Sequence, residues 1–295
     1  MATTFAIPAV DRLGARDSMT ARERLTLALQ RRAPDRVPIA FKTVGPFNGQ
    51  RPRVQTDASY GRLTELSRRY CDVFHEWPAE KTRPYFSGSP EIRIDAKVAR
   101  DGRETFTTVT TPEGTLTQHE RVVEGSNWAI KHFIETDEDL DVFLRHTYVP
   151  ARPDLSSFWR EQERLGDAGL MRISLSDPIG MLAPLLPRET LYTWMMQEPT
   201  LVDRLHNVMF ERLLDQVTYL AKSGVRCIFQ FSGAEYAAPP MASPAHFERC
   251  VGRFGQPICD VLKAHGCVPM LHCHSRVGAL IDTFIAMGYV ATHPV

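Results

Sequence analysis

The chain has 295 residues, 43% hydrophobic and 24% charged, a balance expected of a globular protein with a large core. Lys plus Arg and Asp plus Glu number 35 each, so net charge points to neither nucleic acid nor an anionic membrane surface as a partner. No apolar run reaches the roughly 18 residues that span a bilayer, which excludes a membrane-crossing helix.

Met1–Arg16 has mixed charge and no long apolar stretch, so residues 1–18 read as a tail without a secretory signal. The six cysteines show no CxxC spacing and sit mainly in apolar contexts, which predicts free thiols in a reducing cytoplasm. Thr20 with Glu23 forms a capping box that opens a helix, and Pro34 ends it. Val37–Phe41 predicts a first strand and residues 42–57 a long loop. A helix over 58–70 leads to a second short strand at Asp72–Phe74.

Residues 84–124 change character. Glu91–Asp95 and Thr105–Val109 alternate, and Thr111-Pro112-Glu113-Gly114-Thr115 is a turn between Thr- and Val-rich runs. This predicts an antiparallel hairpin insertion. Thr136 caps a helix that reaches about Arg145. From residue 150 the pattern alternates helix and strand. Helices are expected over Asp154–Gly166, Arg188–Gln197 and Pro199–Ser223. Strands are expected over Leu170–Leu175 and Cys227–Phe231. A helix starting at Ser243-Pro244 runs to His265, with a break near Gly255. A strand at Cys267–Cys273, a helix over 276–287 and a sixth strand at Val290–His293 follow. Met195, Met196 and Met209 are assigned to the core. Alternation of this kind implies an α/β fold with a parallel sheet.

The richest functional signal is Leu271-His272-Cys273-His274-Ser275. Side chains alternate along a strand, so His272 and His274 face one way and Cys273 the other, into the core. Active sites of parallel α/β sheets gather at the carboxyl ends of strands. The two imidazoles either hold a metal or act directly as acid and base; the plainer alternative is a packed pair of strand histidines. Glu235 follows the preceding strand and would complete a His2Glu metal set, unless it forms a salt bridge or caps a helix. Asp177 lies past the third strand, as an orienting or catalytic carboxyl or as a turn residue before Pro178. Tyr236, Arg276 and His293 are candidate substrate contacts. Phe47 and Trp77 are aromatic candidates for a pocket wall.

In order and spacing, several motifs resemble the uroporphyrinogen decarboxylase superfamily, across most of residues 19–295. They are Thr20-Ala21-Arg22-Glu23-Arg24 with Pro34-Asp35-Arg36-Val37-Pro38, Thr111–Thr115, Ser232-Gly233-Ala234-Glu235-Tyr236, Pro239-Pro240 with Ser243-Pro244, and His272-Cys273-His274. The resemblance implies one TIM (β/α)8-type barrel domain over 19–295, here lacking the last two βα units, as a truncated form or with a neighbouring chain over the open edge. Two departures matter. The Arg-Gln-Ala-Gly-Arg motif of true decarboxylases is replaced by Lys42-Thr43-Val44-Gly45-Pro46-Phe47. The His-x-Cys zinc motif of the cobalamin-linked methyltransferases becomes His272-x-His274, and their later Cys would lie beyond Val295.

The resemblance therefore implies a cytoplasmic methyltransferase acting on a small methylated substrate, with zinc held by His272, His274 and Glu235. A corrinoid or a thiol would accept the methyl group. A corrinoid protein and a second copy of the chain are its expected partners. A decarboxylase gripping carboxylates with Lys42, Arg51, Arg53 and Arg276 is one alternative. A truncated, non-catalytic binding or dimerisation module is the other.

Overall fold

Helix α1 (Ala21–Leu29) starts where the sequence signals it. Thr20 Oγ1 accepts from Glu23 N, and Glu23 closes the capping box. Its Arg24 is buried, which an unpaired guanidinium would not tolerate. Nε and Nη2 donate to the two carboxylate oxygens of Asp35 at 2.6 and 2.9 Å, and Nη1 to Asp72 at 2.6 Å. Arg36 reaches the other oxygen of Asp72 at 2.9 Å. This ion network ties α1, the segment after it and the start of the first strand together.

The computed structural model describes residues 17–41, 54, 56–78, 85–124 and 126–294. The proposed tail (1–16), Lys42, Phe47, Arg51 and Arg53 lie outside them. The chain divides into two compact units. One is drawn from residues up to 78, from 154–174 and from 226–229; the other takes 85–153, 175–225 and 230–294.

In the first unit, helix α2 (Gly61–Tyr70) precedes strand β1 (Val73–Glu76), which pairs in parallel with the start of β6 (Gly169–Ser176). Gly169 lies so close to β1 that an added Cβ would sit within 1.9 Å of Val73 O. Trp77 packs edge-on against Phe158 of α4 (Ser156–Leu165), with ring centroids 5.6 Å apart. It is a core residue, not a pocket wall.

The expected first strand, Val37–Phe41, is not one. Pro38 has no N–H to offer, and Asp72 Oδ2 takes the Ile39 N–H at 2.8 Å while Asp72 N donates to Ile39 O at 2.7 Å. A side chain thus satisfies a donor that a neighbouring strand would otherwise satisfy. Val37 is left 79% exposed.

In the second unit the insertion is larger than the hairpin expected over 84–124. Strands β2 (Arg93–Val98), β3 (Glu104–Thr111), β4 (Gly114–Val123) and β5 (Ser126–Lys131) form an antiparallel sheet in the order β2-β3-β4-β5. Its turn needs Gly114: φ is +151°, and a Cβ would lie 2.7 Å from Val142 of α3 (Asp137–Arg145). Val109 and Leu116 are fully buried on one face.

Helices α5 (Pro178–Leu182), α6 (Arg188–Gln197) and α7 (Pro199–Lys222) follow β6. Met195 and Met209 are core as expected, but Met196, the next residue on the turning helix, is 68% exposed. Strand β7 (Ile228–Ser232) leads through α8 (Pro244–Phe247) to α9 (Arg253–Ala264). The break in this helical run is a π turn over Glu248–Gly252, not a kink at Gly255. Strands β8 (Val268–His272) and β9 (Ala291–His293) flank α10 (Ile281–Ala286). Among the described residues the main sheet has five parallel strands in the order β1-β6-β7-β8-β9, one fewer than the sequence suggested. None of the six cysteines forms a disulfide.

Arg24→Ala should destabilise the chain by about 3–5 kcal/mol in denaturant unfolding, because it removes a buried partner from the carboxylates of both Asp35 and Asp72. The guanidinium of Arg24 also holds the Asp35 carboxyl below the usual carboxylate range. A depressed acid stabilises fully above its unfolded pKa and loses that contribution as pH falls through the folded value. The variant should therefore also lose part of the wild-type stability gain between acid and neutral pH.

Candidate functional site

The site grows from the pairing of the last two strands. In the parallel register of β8 on β9, His272 stands opposite His293, and Cys273 N extends the ladder by donating to His293 O at 3.1 Å. Side chains opposite one another share a face, so the two imidazoles must meet. Their centroids are 4.6 Å apart and their Nδ1 atoms 3.3 Å apart. His274, exposed two residues beyond, brings its ring centroid to 4.4 Å from that of His272, at 83°. The alternation argument thus holds for His272 and His274, and His293 joins them as a third ring.

His293 is anchored on its far side. Its Nε2 donates to Oε1 of Gln230 on β7 at 2.9 Å. A carboxamide oxygen only accepts, so this bond places the His293 proton on Nε2 and makes Nδ1 the basic nitrogen. Sharing a hydrogen bond across the 3.3 Å contact then requires the His272 proton on Nδ1, which leaves Nε2 as the basic atom of His272. Sequence reasoning missed Gln230. The available signal was its place as the one amide in the apolar run Cys227–Phe231, where a buried polar group needs a partner.

Cys273 is fully buried on the opposite face, as its position in the alternation predicts. Burial pushes its thiol up to about 11, so it is a neutral core residue.

The two loops beyond β6 and β7 are locked to each other. Asp177 N donates to Ser232 O at 2.9 Å. Gly180 and Gly233 touch so closely that a Cβ on Gly233, whose φ is +117°, would sit 2.3 Å from Gly180 Cα. Asp177 caps α5: its Oδ1 accepts from Gly180 N at 2.8 Å. Its other oxygen is buried without a hydrogen-bond partner among the described residues. Burial, and secondarily the nearby Glu235 carboxylate, raises the Asp177 pKa well above the ordinary value. The cap is thus a structural role, carried by a carboxyl driven toward its neutral form.

Glu235 is used locally. Its Oε2 accepts from Gly233 N at 3.0 Å inside its own turn. Tyr236 is clamped by α6: the Arg188 guanidinium lies 4.1 Å over its ring and donates to its hydroxyl, while Tyr192 Oη donates to its carbonyl. Tyr192 also lines a groove of about 470 Å³ with Met195, Met196, Pro240, Met241 and His246. Arg276 is exposed; its main chain donates to Pro239 O at 3.1 Å. Among the described residues, no group of three or more His, Cys, Asp and Glu side chains is arranged to hold a metal ion.

Among known proteins, no protein-family model matches the chain, and no curated protein matches its sequence. Its fold is similar to a solved structure described as a methyltransferase from Methanosarcina mazei. The TM-score is 0.54 at 15% identity, over 93% of this chain and 76% of that one.

Asp177→Asn keeps the capping oxygen and cannot ionise. An acid whose folded pKa is raised loses stability as pH climbs above its unfolded pKa. The variant should therefore match the native chain near pH 4 and exceed it in denaturant unfolding at pH 8. Equal unfolding midpoints at both pH values would show that Asp177 ionises freely.

Proposed function

We propose that the chain is a methyltransferase on a (β/α)8-type scaffold. It moves a methyl group from a small methoxy-aromatic or methylamine substrate to a thiol or corrinoid acceptor. The observation that carries this reading is the His272–His293 contact with Gln230 behind it. The likeness of fold to a protein described as a methyltransferase supports the class of reaction.

Transfer from an aryl ether to a thiol forms a C–S bond, breaks a C–O bond and moves one proton from sulfur to the phenolate oxygen. Imidazole suits both halves of that proton movement, because its ordinary pKa lies near neutrality. Nε2 of His272 takes the thiol proton, and the conjugate imidazolium returns a proton to the leaving oxygen. Gln230 holds the tautomer of His293, which in turn holds that of His272. His274 is the exposed ring next to the pair.

The same contact favours a second reading. Two imidazole nitrogens on a tetrahedral zinc stand about 3.4 Å apart, given Zn–N bonds of about 2.0–2.1 Å. The observed separation is 3.3 Å, and Gln230 would be the outer acceptor that fixes a ligand ring. Glu235, the expected third ligand, is engaged by Gly233. The residues thus offer zinc two ligands and not a catalytic set of three. Bound zinc would supply Lewis-acid activation of the acceptor; the steps above run through the imidazoles alone.

The test measures methyl transfer from 2-methoxyphenol and from trimethylamine, to 2-mercaptoethanol and to cob(I)alamin. His272→Ala should lower kcat by about 10²–10⁴-fold with little change in KM. Gln230→Leu should lower kcat by about tenfold through loss of tautomer control. No transfer in any donor–acceptor pair, or a His272→Ala variant with undiminished kcat, would overturn the reading. Zinc retained at one equivalent by the native chain and lost in His272→Ala would favour the metal reading of the pair.

A further inference from the structure

Strand β2 forms one edge of the four-stranded sheet, and its outward row of main-chain N–H and C=O groups has no strand beside it among the described residues. An open edge of this kind is a template for another strand unless the sequence forbids pairing. Here the sequence specifies it. Ile94 pairs with Val109, and Val98 with Thr105, so Ile94, Ala96 and Val98 share the face on which Val109 and Leu116 are fully buried. Yet Ile94 is 54% and Val98 63% exposed. Ile94 and Val98 thus leave two large apolar side chains uncovered at the edge. Arg93, Asp95 and Lys97 lie on the other face, with Arg93 Nε 2.7 Å from Asp95.

We propose that a second copy of this chain covers that edge, through antiparallel pairing of β2 with β2 about a two-fold axis at Ala96. This inference is independent of the chemistry proposed for the imidazole site. Ala96 then faces Ala96, and Ile94 faces Val98 twice, which extends the apolar stripe across the axis. On the other face Asp95 meets Lys97 of the second copy twice.

Charge selects this register over its neighbours. A two-fold normal to the sheet keeps each face continuous, so alternative registers slide the axis by one residue along β2. An axis at Asp95 sets Asp95 against Asp95 and Arg93 against Lys97. An axis at Lys97 sets Lys97 against Lys97. Like charges directly opposed destabilise a pair, and opposite charges support it. Lysine on an edge strand commonly discourages pairing; here it disfavours the two registers that flank the one centred on Ala96. The interface is isologous and closes at two copies.

Charge-reversal variants of the full chain test this by sedimentation velocity over a range of concentrations. The native chain should dimerise. Lys97→Asp sets carboxylates at 95 and 97 against each other across the axis, and Asp95→Lys does the same with ammonium groups. Each should weaken dimerisation by at least about tenfold. Mixed one to one, the two variants should form a heterodimer near native affinity, because every opposed pair is again of unlike charge. Both positions lie on a solvent-facing edge, and unchanged circular dichroism would verify that the variants fold. A native chain monomeric at every concentration, single variants that dimerise like the native chain, or two variants that fail to pair when mixed would each overturn the proposal.

Discussion

The candidate site depends on the register of one strand pair. Parallel strands place residues at matching depth on one face, and the offset of β8 on β9 makes His272 and His293 the matching residues. A shift of one residue would send one imidazole to the opposite face, where Cys273 is sealed. The Cys273 N–H to His293 O bond fixes the offset at the point where the side chains matter. From that pairing follow the Nδ1–Nδ1 contact and the alignment of Nε2 of His293 with Gln230. Each hydrogen bond limits the tautomer of the next ring, so an amide on β7 influences which nitrogen of His272 is basic.

Close packing of the neighbouring loops supports this end of the strands. Gly180 and Gly233 let the turn after β7 rest directly on the start of α5. Asp177 fills the remaining polar need by capping that helix. No described residue donates to its second oxygen, and burial drives the carboxyl toward its neutral form. Glu235 likewise serves its own turn, where its Oε2 accepts from Gly233 N at 3.0 Å. Both acids thus give one carboxylate oxygen to the geometry of their turns.

Much of the local structure is legible from local rules. Capping residues locate α1 and α3, and apolar spacing followed by glycine gives α7 almost to the residue. Strand alternation correctly separates His272 and His274 from Cys273. Errors arise where a distant group replaces a local partner. Val37–Phe41 has the composition of a strand, but the Asp72 side chain takes the Ile39 N–H, 33 residues away. Met196 has the composition of a core residue, but it stays 68% exposed while Met195 beside it is buried. Ser126–Lys131 joins the inserted sheet through pairing with β4, which its own polar and exposed residues do not announce.

The sequence by itself determined the α/β alternation, the antiparallel insertion, the fate of the cysteines and the face shared by His272 and His274. These follow from period, capping and turn chemistry, which act over a few residues. Only the tertiary structure decided that His293 and Gln230 belong with them, across 21 and 63 residues, and that Glu235 and Asp177 serve their own turns. Register between strands is set by the packing of whole elements, and no local pattern encodes which side chains it will bring within a hydrogen bond of each other.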